Sequence, residues 1–281
     1  MNEDKVQSDT VVDASSDILR ETVRAKYAAL AREDADDCCG PPSCCDAPAD
    51  RAITNMIGDA YDDVDGYVGD ADLQLGCGVP TEHAGLAAGQ TVVDLGSGAG
   101  LDAFVARRIV GETGHVIGVD FAPEMVTKAR ANAEQLGADN VAFVEGDIED
   151  IPLDADTADV VLSNCVLNLV PDKARAFAEM YRILRPGGHF CVSDVVSRGV
   201  LPDAIRRSAE LYVGCVAGAL EEDAYLGLLG TAGFSDVNVP ARRRIQIPDD
   251  ALPTDLSAAE RAAFDDGGLW SLTVRGTKPA A

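Results

Sequence analysis

The chain has 281 residues, 47% of them hydrophobic, and sets 23 Lys and Arg against 48 Asp and Glu, a formal charge of -25. That length carries one or two domains with a sizeable core, and the apolar share excludes wholesale disorder. The charge excludes a basic nucleic-acid footprint and a polybasic membrane anchor.

The opening stretch MNEDKVQSDT is polar and acidic and lacks the apolar core of a signal peptide. No apolar run is long enough to span a bilayer. A cytoplasmic protein, with neither nucleic acid nor membrane as partner, is the expectation. The first ten or so residues read as disordered. From Ser15, the residues Ile18, Leu19, Val23, Tyr27 and Leu30 recur at spacings of three and four, which predicts a helix with one apolar face. Residues 34–50, DADDCCGPPSCCDAPAD, are turn-rich and predict no regular element. Residues 51–88 are rich in Gly and Asp and contain the turn Gly76-Cys77-Gly78-Val79-Pro80.

From residue 91 strands and helices alternate. Strands are predicted at Thr91–Leu95, His115–Val119, Val141–Glu145, Asp159–Ser163 and His189–Val196. Helices are predicted at Leu101–Val110, Ala122–Leu136 and Pro171–Leu184, the last broken by Arg185-Pro186-Gly187-Gly188. A helical stretch around 203–232, a strand at Phe234–Val239 and a final strand near Leu269–Arg275, readable as an antiparallel edge, complete the pattern. Alternating strands and helices predict an α/β fold, a doubly wound and mostly parallel sheet. Three regions are expected: a thiol-bearing cap over 1–85, a ligand-binding core over 86–200, and a substrate-covering, sheet-completing segment over 201–281.

Eight cysteines, at 38, 39, 44, 45, 77, 165, 191 and 215, are many for a chain with no secretion signal, so metal or metalloid binding or redox chemistry is favoured over disulfides. Vicinal pairs such as Cys38-Cys39 and Cys44-Cys45 make awkward joint ligands for one tetrahedral ion. Cys191, inside a predicted strand, reads as a small core hydrophobe. His83 and His115 read as surface or turn residues, and Tyr212 and Tyr225 as packing residues. The basic residues are nearly all Arg, and such an acidic, Lys-poor chain resembles proteins of salt-loving organisms, whose medium screens self-repulsion.

The sharpest local signal is Val92-Val93-Asp94-Leu95-Gly96-Ser97-Gly98-Ala99-Gly100, a strand, a Gly-rich turn and a helix start. Its glycines let a ligand approach the backbone, and Asp120, ending the next strand, can accept hydrogen bonds from ribose hydroxyls. A dinucleotide fingerprint needs a small residue three after Gly98, where Leu101 stands. The pattern Asp-x-Gly-x-Gly-x-Gly instead resembles S-adenosylmethionine-dependent methyltransferases of the Rossmann-like class I fold. That resemblance implies S-adenosylmethionine as cofactor, held by Asp94, Gly96, Ser97, Gly98, Gly100 and Asp120, with Phe121 and Met125 just beyond. It sets Asp147, Ile148 and Glu149 against adenine and Asn164 beside the reacting centre.

Cys77 precedes this core, Cys165 ends the fourth strand in SNCVLNLVPDK, and Cys215 lies in GCVAGA. Strand carboxyl ends face the ligand crevice in such sheets, which brings Cys165 near the methyl donor. With VSDVV, these strings resemble arsenite methyltransferases over roughly residues 20–240. The resemblance implies that Cys77, Cys165 and Cys215 bind trivalent arsenic, and that a fourth thiol near the N-terminus takes part in redox steps; Cys38, Cys39, Cys44 and Cys45 are the candidates, with Cys44 and Cys45 nearer Cys77 in sequence. Leu75 departs from the family, which often has an aromatic residue before the Gly-Cys-Gly turn.

Soft arsenic binds thiolates strongly, three sulfurs leave its lone pair exposed, and that nucleophile needs no general base. Lowered thiol pKa values would help binding. Arsenite or its thiol conjugates, and a thiol reductant of thioredoxin or glutathione type, are the expected partners. Two alternatives share parts of this pattern: a quinone-type C- or O-methyltransferase, and a thiol-based arsenite-binding protein.

Overall fold

The computed structural model describes residues 20–32, 61, 64–206, 215–216, 218–247, 249 and 252–280. Residues 20–32 form helix α1, with Val23 and Ala28 buried. The short helix α2, Pro80–His83, follows the Gly76–Pro80 turn. Next come β1 (Thr91–Leu95), α3 (Leu101–Val110), β2 (His115–Asp120), α4 (Pro123–Gln135), β3 (Val141–Glu145), β4 (Ala158–Asn164), α5 (Lys173–Ile183) and β5 (Leu184–Ser197). The chain ends with α6 (Asp203–Arg206), β6 (Leu220–Glu221), α7 (Glu222–Thr231), β7 (Ser235–Ile245), α8 (Ala258–Gly267) and β8 (Leu269–Thr277).

Seven strands lie in the order β3-β2-β1-β4-β5-β8-β7, and β6 pairs with the end of β5. β1 to β6 pair in parallel, while β8 runs antiparallel between β5 and β7. The doubly wound, mostly parallel sheet is as the sequence predicts.

Strand alternation builds the two faces. Val92, Val160 and Leu162 pack against Ala103, Phe104, Val126 and Ala129 of α3 and α4. Val93, Val161 and Val192 pack against Phe177, Met180, Tyr225 and Leu229 of α5 and α7. Cys191 lies in the first of these layers, the core hydrophobe it reads as. Two turns of sequence chemistry fix helix starts: Pro123 sits in the first turn of α4, and the Asp172 carboxylate caps α5 by accepting from the Arg175 N–H at 3.0 Å.

Four expectations need correction. Arg185–Gly188 ends α5 but enters β5 directly, held by the Gly187 N–H to Lys278 carbonyl bond of 2.9 Å. The 203–232 stretch is not one helix, because β6 interrupts it where the sheet offers an open edge beyond the end of β4. β8 is antiparallel but interior, since β7 runs on to Ile245 and takes the edge. The helix α8 was not foreseen, although Ser257 and Glu260 form a capping box at its start.

The crevice opens between β1 and β4, where the strand order reverses direction. A third apolar cluster, including Val23, Leu169, Val195 and Ile205, covers the carboxyl ends of β4 and β5. All three non-core cysteines of the described chain lie in it.

Candidate active site

The Gly96–Gly100 turn leaves β1 with positive φ at all three glycines. Gly96 has φ 68°, and a Cβ there would collide with the Val166 side chain. At Gly98 a Cβ would meet nothing within 4 Å, so this glycine faces the open crevice. Asp94, Gly96, Ser97, Gly98, Asp120, Phe121, Asn164 and Cys165 line one cleft together with Tyr27, Tyr61 and Asp102.

The carboxylates of this cleft are held in different ways. Asp120 accepts the Gly98 N–H on Oδ2 and the Ala122 N–H on Oδ1, both at 2.9 Å. Each oxygen keeps a further lone pair for a ligand. Burial pushes the Asp120 carboxyl up from its ordinary pKa, and these backbone donors pull it back. Asp94 is 2% exposed, and its Oδ2 has no hydrogen-bond partner among the described residues. Burial, then the charges of Asp102 and Asp120, push its pKa well above the usual carboxylate range. Asp102 accepts from the Tyr61 hydroxyl at 2.7 Å and from Asn164 Nδ2 at 3.0 Å. Burial still raises its pKa to about 6.

Asn164 joins this cleft to the thiols. Its Oδ1 accepts the Cys77 N–H at 3.0 Å, and its Nδ2 lies 2.8 Å from the Gly78 carbonyl. The Gly-Cys-Gly turn is thereby fixed to the end of β4. From the other side, the Ser271 hydroxyl donates to the Cys77 carbonyl.

Cys77, Cys165 and Cys215 are each at most 2% exposed. The Cys165 thiol feels both of the others, and Cys77 Sγ lies within 4.8 Å of it. Cys215 Sγ also donates to the Cys165 carbonyl at 2.7 Å, and the Asn168 amide holds the Cys215 carbonyl at 3.3 Å. Cys165 and Cys215 both take left-handed backbone conformations, with φ of 60° and 62°. Such residues are uncommon outside glycine and cluster at functional sites. Lowered thiol pKa values were expected, and the structure reverses that. Bonds to Cys215 and Cys77, then burial, raise Cys165 well above an ordinary thiol, and burial raises Cys77.

Other expected residues stand apart. Met125 and Ile148 are buried in the core, outside the cleft lining. Asp147 lines a neighbouring groove with Arg20 and Arg24 of α1. Glu149 turns inward, where its Oε1 accepts the Asp172 N–H at 2.7 Å and its Oε2 pairs with Arg20. Gly100 starts α3. Cys38, Cys39, Cys44, Cys45 and Tyr212 lie outside the described residues.

The sequence reading missed Tyr61, Asp102 and Asp194. Asp194 is 1% exposed, and a carboxylate oxygen, Cys77 Sγ and Cys165 Sγ all lie within 4.8 Å of one another. Burial raises its pKa to about 7, against the opposing charge of Lys173. An acid inside the apolar strand Phe-Cys-Val-Ser-Asp-Val-Val was the available signal.

A Gly-rich turn at the strand-order reversal, with an acid ending the neighbouring strand, defines a nucleoside-binding α/β enzyme, and residues 86–233 match the family described as "Methyltransferase domain". The chain is 43% identical over 278 residues to an arsenite methyltransferase of Halobacterium salinarum, covering 96% of this chain and 69% of that protein. It is 36% identical over 225 residues to an arsenite methyltransferase of Aquipseudomonas alcaligenes, covering 77% of this chain and 63% of that protein. The crystal structure of an arsenic(III) S-adenosylmethionine methyltransferase from Chlamydomonas reinhardtii superposes with a TM-score of 0.63 at 34% identity, covering 85% of this chain and 75% of that one. The chain belongs to the arsenite methyltransferase family of S-adenosylmethionine-dependent enzymes.

Proposed function

We propose that this chain transfers methyl groups from S-adenosylmethionine to trivalent arsenic held by Cys77, Cys165 and Cys215. The observation that carries the reading is the meeting of these thiols. They come from three separate segments, are buried together, and include one, Cys165, that also lines the Gly-rich cleft.

The cleft fits the cofactor on two counts. Gly98 leaves open space at the backbone, and Asp94, a lining residue, has a buried Oδ2 without a hydrogen-bond partner among the described residues. Asp120 holds the ribose hydroxyls, the Gly96–Gly98 backbone lets the ligand approach closely, and Asp94 and Phe121 complete its surroundings. Bound S-adenosylmethionine supplies an electrophilic methyl group. The thiols do the rest. As arsenite enters, three As–S bonds form and three As–OH bonds break. Each thiol proton leaves with a hydroxide as water, so raised thiol pKa values do not oppose binding. The resulting pyramid leaves the arsenic lone pair free, and the fixed Cys77 and Cys165 aim it at the cleft. This alignment is the chain's main contribution, worth up to ~7–11 kcal/mol in favourable systems. Cys44 or Cys45, with a cytoplasmic thiol reductant, serves the redox steps between turnovers.

Replacing Cys165 or Cys215 by Ser is expected to abolish arsenite binding and methylation while leaving S-adenosylmethionine affinity intact, both read by calorimetry. Normal arsenite turnover in either variant contradicts the three-thiol site.

A further inference from the structure

The three-thiol reading leaves Asp194 without a role. Its carboxylate is buried near the carboxyl end of β5, within 4.8 Å of the sulfurs of Cys77 and Cys165. Within the protein, Oδ1 accepts the Val195 N–H at 2.9 Å, the Tyr225 hydroxyl lies 3.4 Å from Oδ2, and the Asn168 N–H and the Lys173 charge also act on the carboxylate. These contacts do not exhaust a carboxylate's roughly four acceptor sites. A pyramidal arsenic uses three soft sulfur donors and keeps its fourth direction for a lone pair. A hard oxygen donor has no part in that complex. A divalent ion of filled d shell has no such lone pair. It takes four ligands in a tetrahedron and accepts sulfur and carboxylate oxygen together.

We propose that Cys77, Cys165 and Asp194, whose ligand atoms lie within 4.8 Å of one another, form a site for zinc with Asp194 as its oxygen ligand, that Cys215, which bonds the Cys165 carbonyl in the empty site, closes onto the ion as the fourth ligand, and that zinc and arsenite exclude one another there. Binding breaks three S–H bonds, releases three protons to solvent and forms three Zn–S bonds and one Zn–O bond. The occupied site presents no lone pair to a methyl donor, so zinc is a dead-end occupant. The proposal rests on the thiol cluster of the proposed function, but not on methyl transfer.

Cobalt(II) is the probe, in full-length protein whose Cys38, Cys39, Cys44 and Cys45 are replaced by Ser. One Co2+ per chain is expected to give thiolate-to-metal charge transfer and the intense visible bands of a tetrahedral ion. One equivalent of zinc, or of arsenite, should bleach both. Asp194→Asn should weaken Co2+ binding by at least ~10–100-fold and leave arsenite binding unchanged in calorimetry. Equal Co2+ affinity in Asp194→Asn overturns the proposal. X-ray absorption at the zinc edge of the Asp194-containing protein tests it without that variant. Three sulfurs at about 2.3 Å and one oxygen at about 2.0–2.2 Å support it, and a site of sulfur alone overturns it. Arsenite binding without Co2+ binding refutes this inference alone. Co2+ binding without arsenite binding refutes the arsenite reading alone.

Discussion

Among the described residues, four buried cysteines share one side chain and divide into two chemistries by position. Cys191 lies in the sheet core beside Val160 and Leu162, where burial pushes its thiol up to about 12 and nothing soft can reach it. Cys77, Cys165 and Cys215 share one apolar cluster, and a turn, a strand end and a left-handed loop residue bring them there. Asp194 beside them shows what such a place costs. Its pKa of about 7 lies above that of an unfolded Asp, so the folded chain binds more protons than the unfolded one between about pH 4 and 7. Stability from this residue is therefore greatest at low pH and falls as pH rises through that window. Asp194→Asn keeps the acceptor for Val195 N–H and can donate to the Tyr225 oxygen. Its melting temperature is expected to exceed that of the native chain at pH 8, by roughly 2–4 °C per kcal/mol relieved, with the advantage gone near pH 4. A variant less stable at pH 8 than at pH 4, relative to the native chain, contradicts this.

At the scale of elements, the Gly-rich turn separates stability from binding. Gly96→Ala forces a left-handed Cβ into Val166 and should lower the melting temperature markedly. Gly98→Ala meets open space, so it should cost only the backbone penalty of about 1–2 kcal/mol yet fill the cofactor's approach. Thermal melts and S-adenosylmethionine calorimetry check the pair, and equal effects of both on both readouts contradict the cleft assignment.

The β1–β5 alternation was legible because each strand is a short apolar run closed by Gly, Asp or Asn. The thiol trio was legible only through resemblance. Spacing alone cannot say that Cys77 and Cys165 meet, since the Asn164 amide that fixes them acts across 87 residues. β8's interior place was not legible either, because it depends on the pairing of β7 along it, from Ser235 to Ile245 and through Pro240, a residue depleted in strands. Asp102 is one acid among 48 Asp and Glu and only its burial sets it apart, whereas Asp194 stands out by its place inside an apolar strand.

Across the described residues, the sheet supplies a crevice between β1 and β4, and the cluster that holds Cys77, Cys165 and Cys215 adjoins it through Cys165. α1 crosses the β3 and α4 side, where Arg20 meets Asp147 and Glu149 and Arg32 meets Glu124 at 2.7 Å. Tyr27 of the same helix lines the cleft, so α1 joins the cofactor side to the thiol side. A net charge of -25 opposes this compact arrangement through self-repulsion, and salt screens that repulsion over about 10 Å at 0.1 M and less above it. Assays therefore belong in high salt. The most direct test of the account is incubation of the full chain with arsenite, methyl-labelled S-adenosylmethionine and a thiol reductant, followed by separation of the arsenic species. Label on arsenic, lost in Cys165→Ser, is the predicted result. Unlabelled arsenic from a protein that binds S-adenosylmethionine would contradict it.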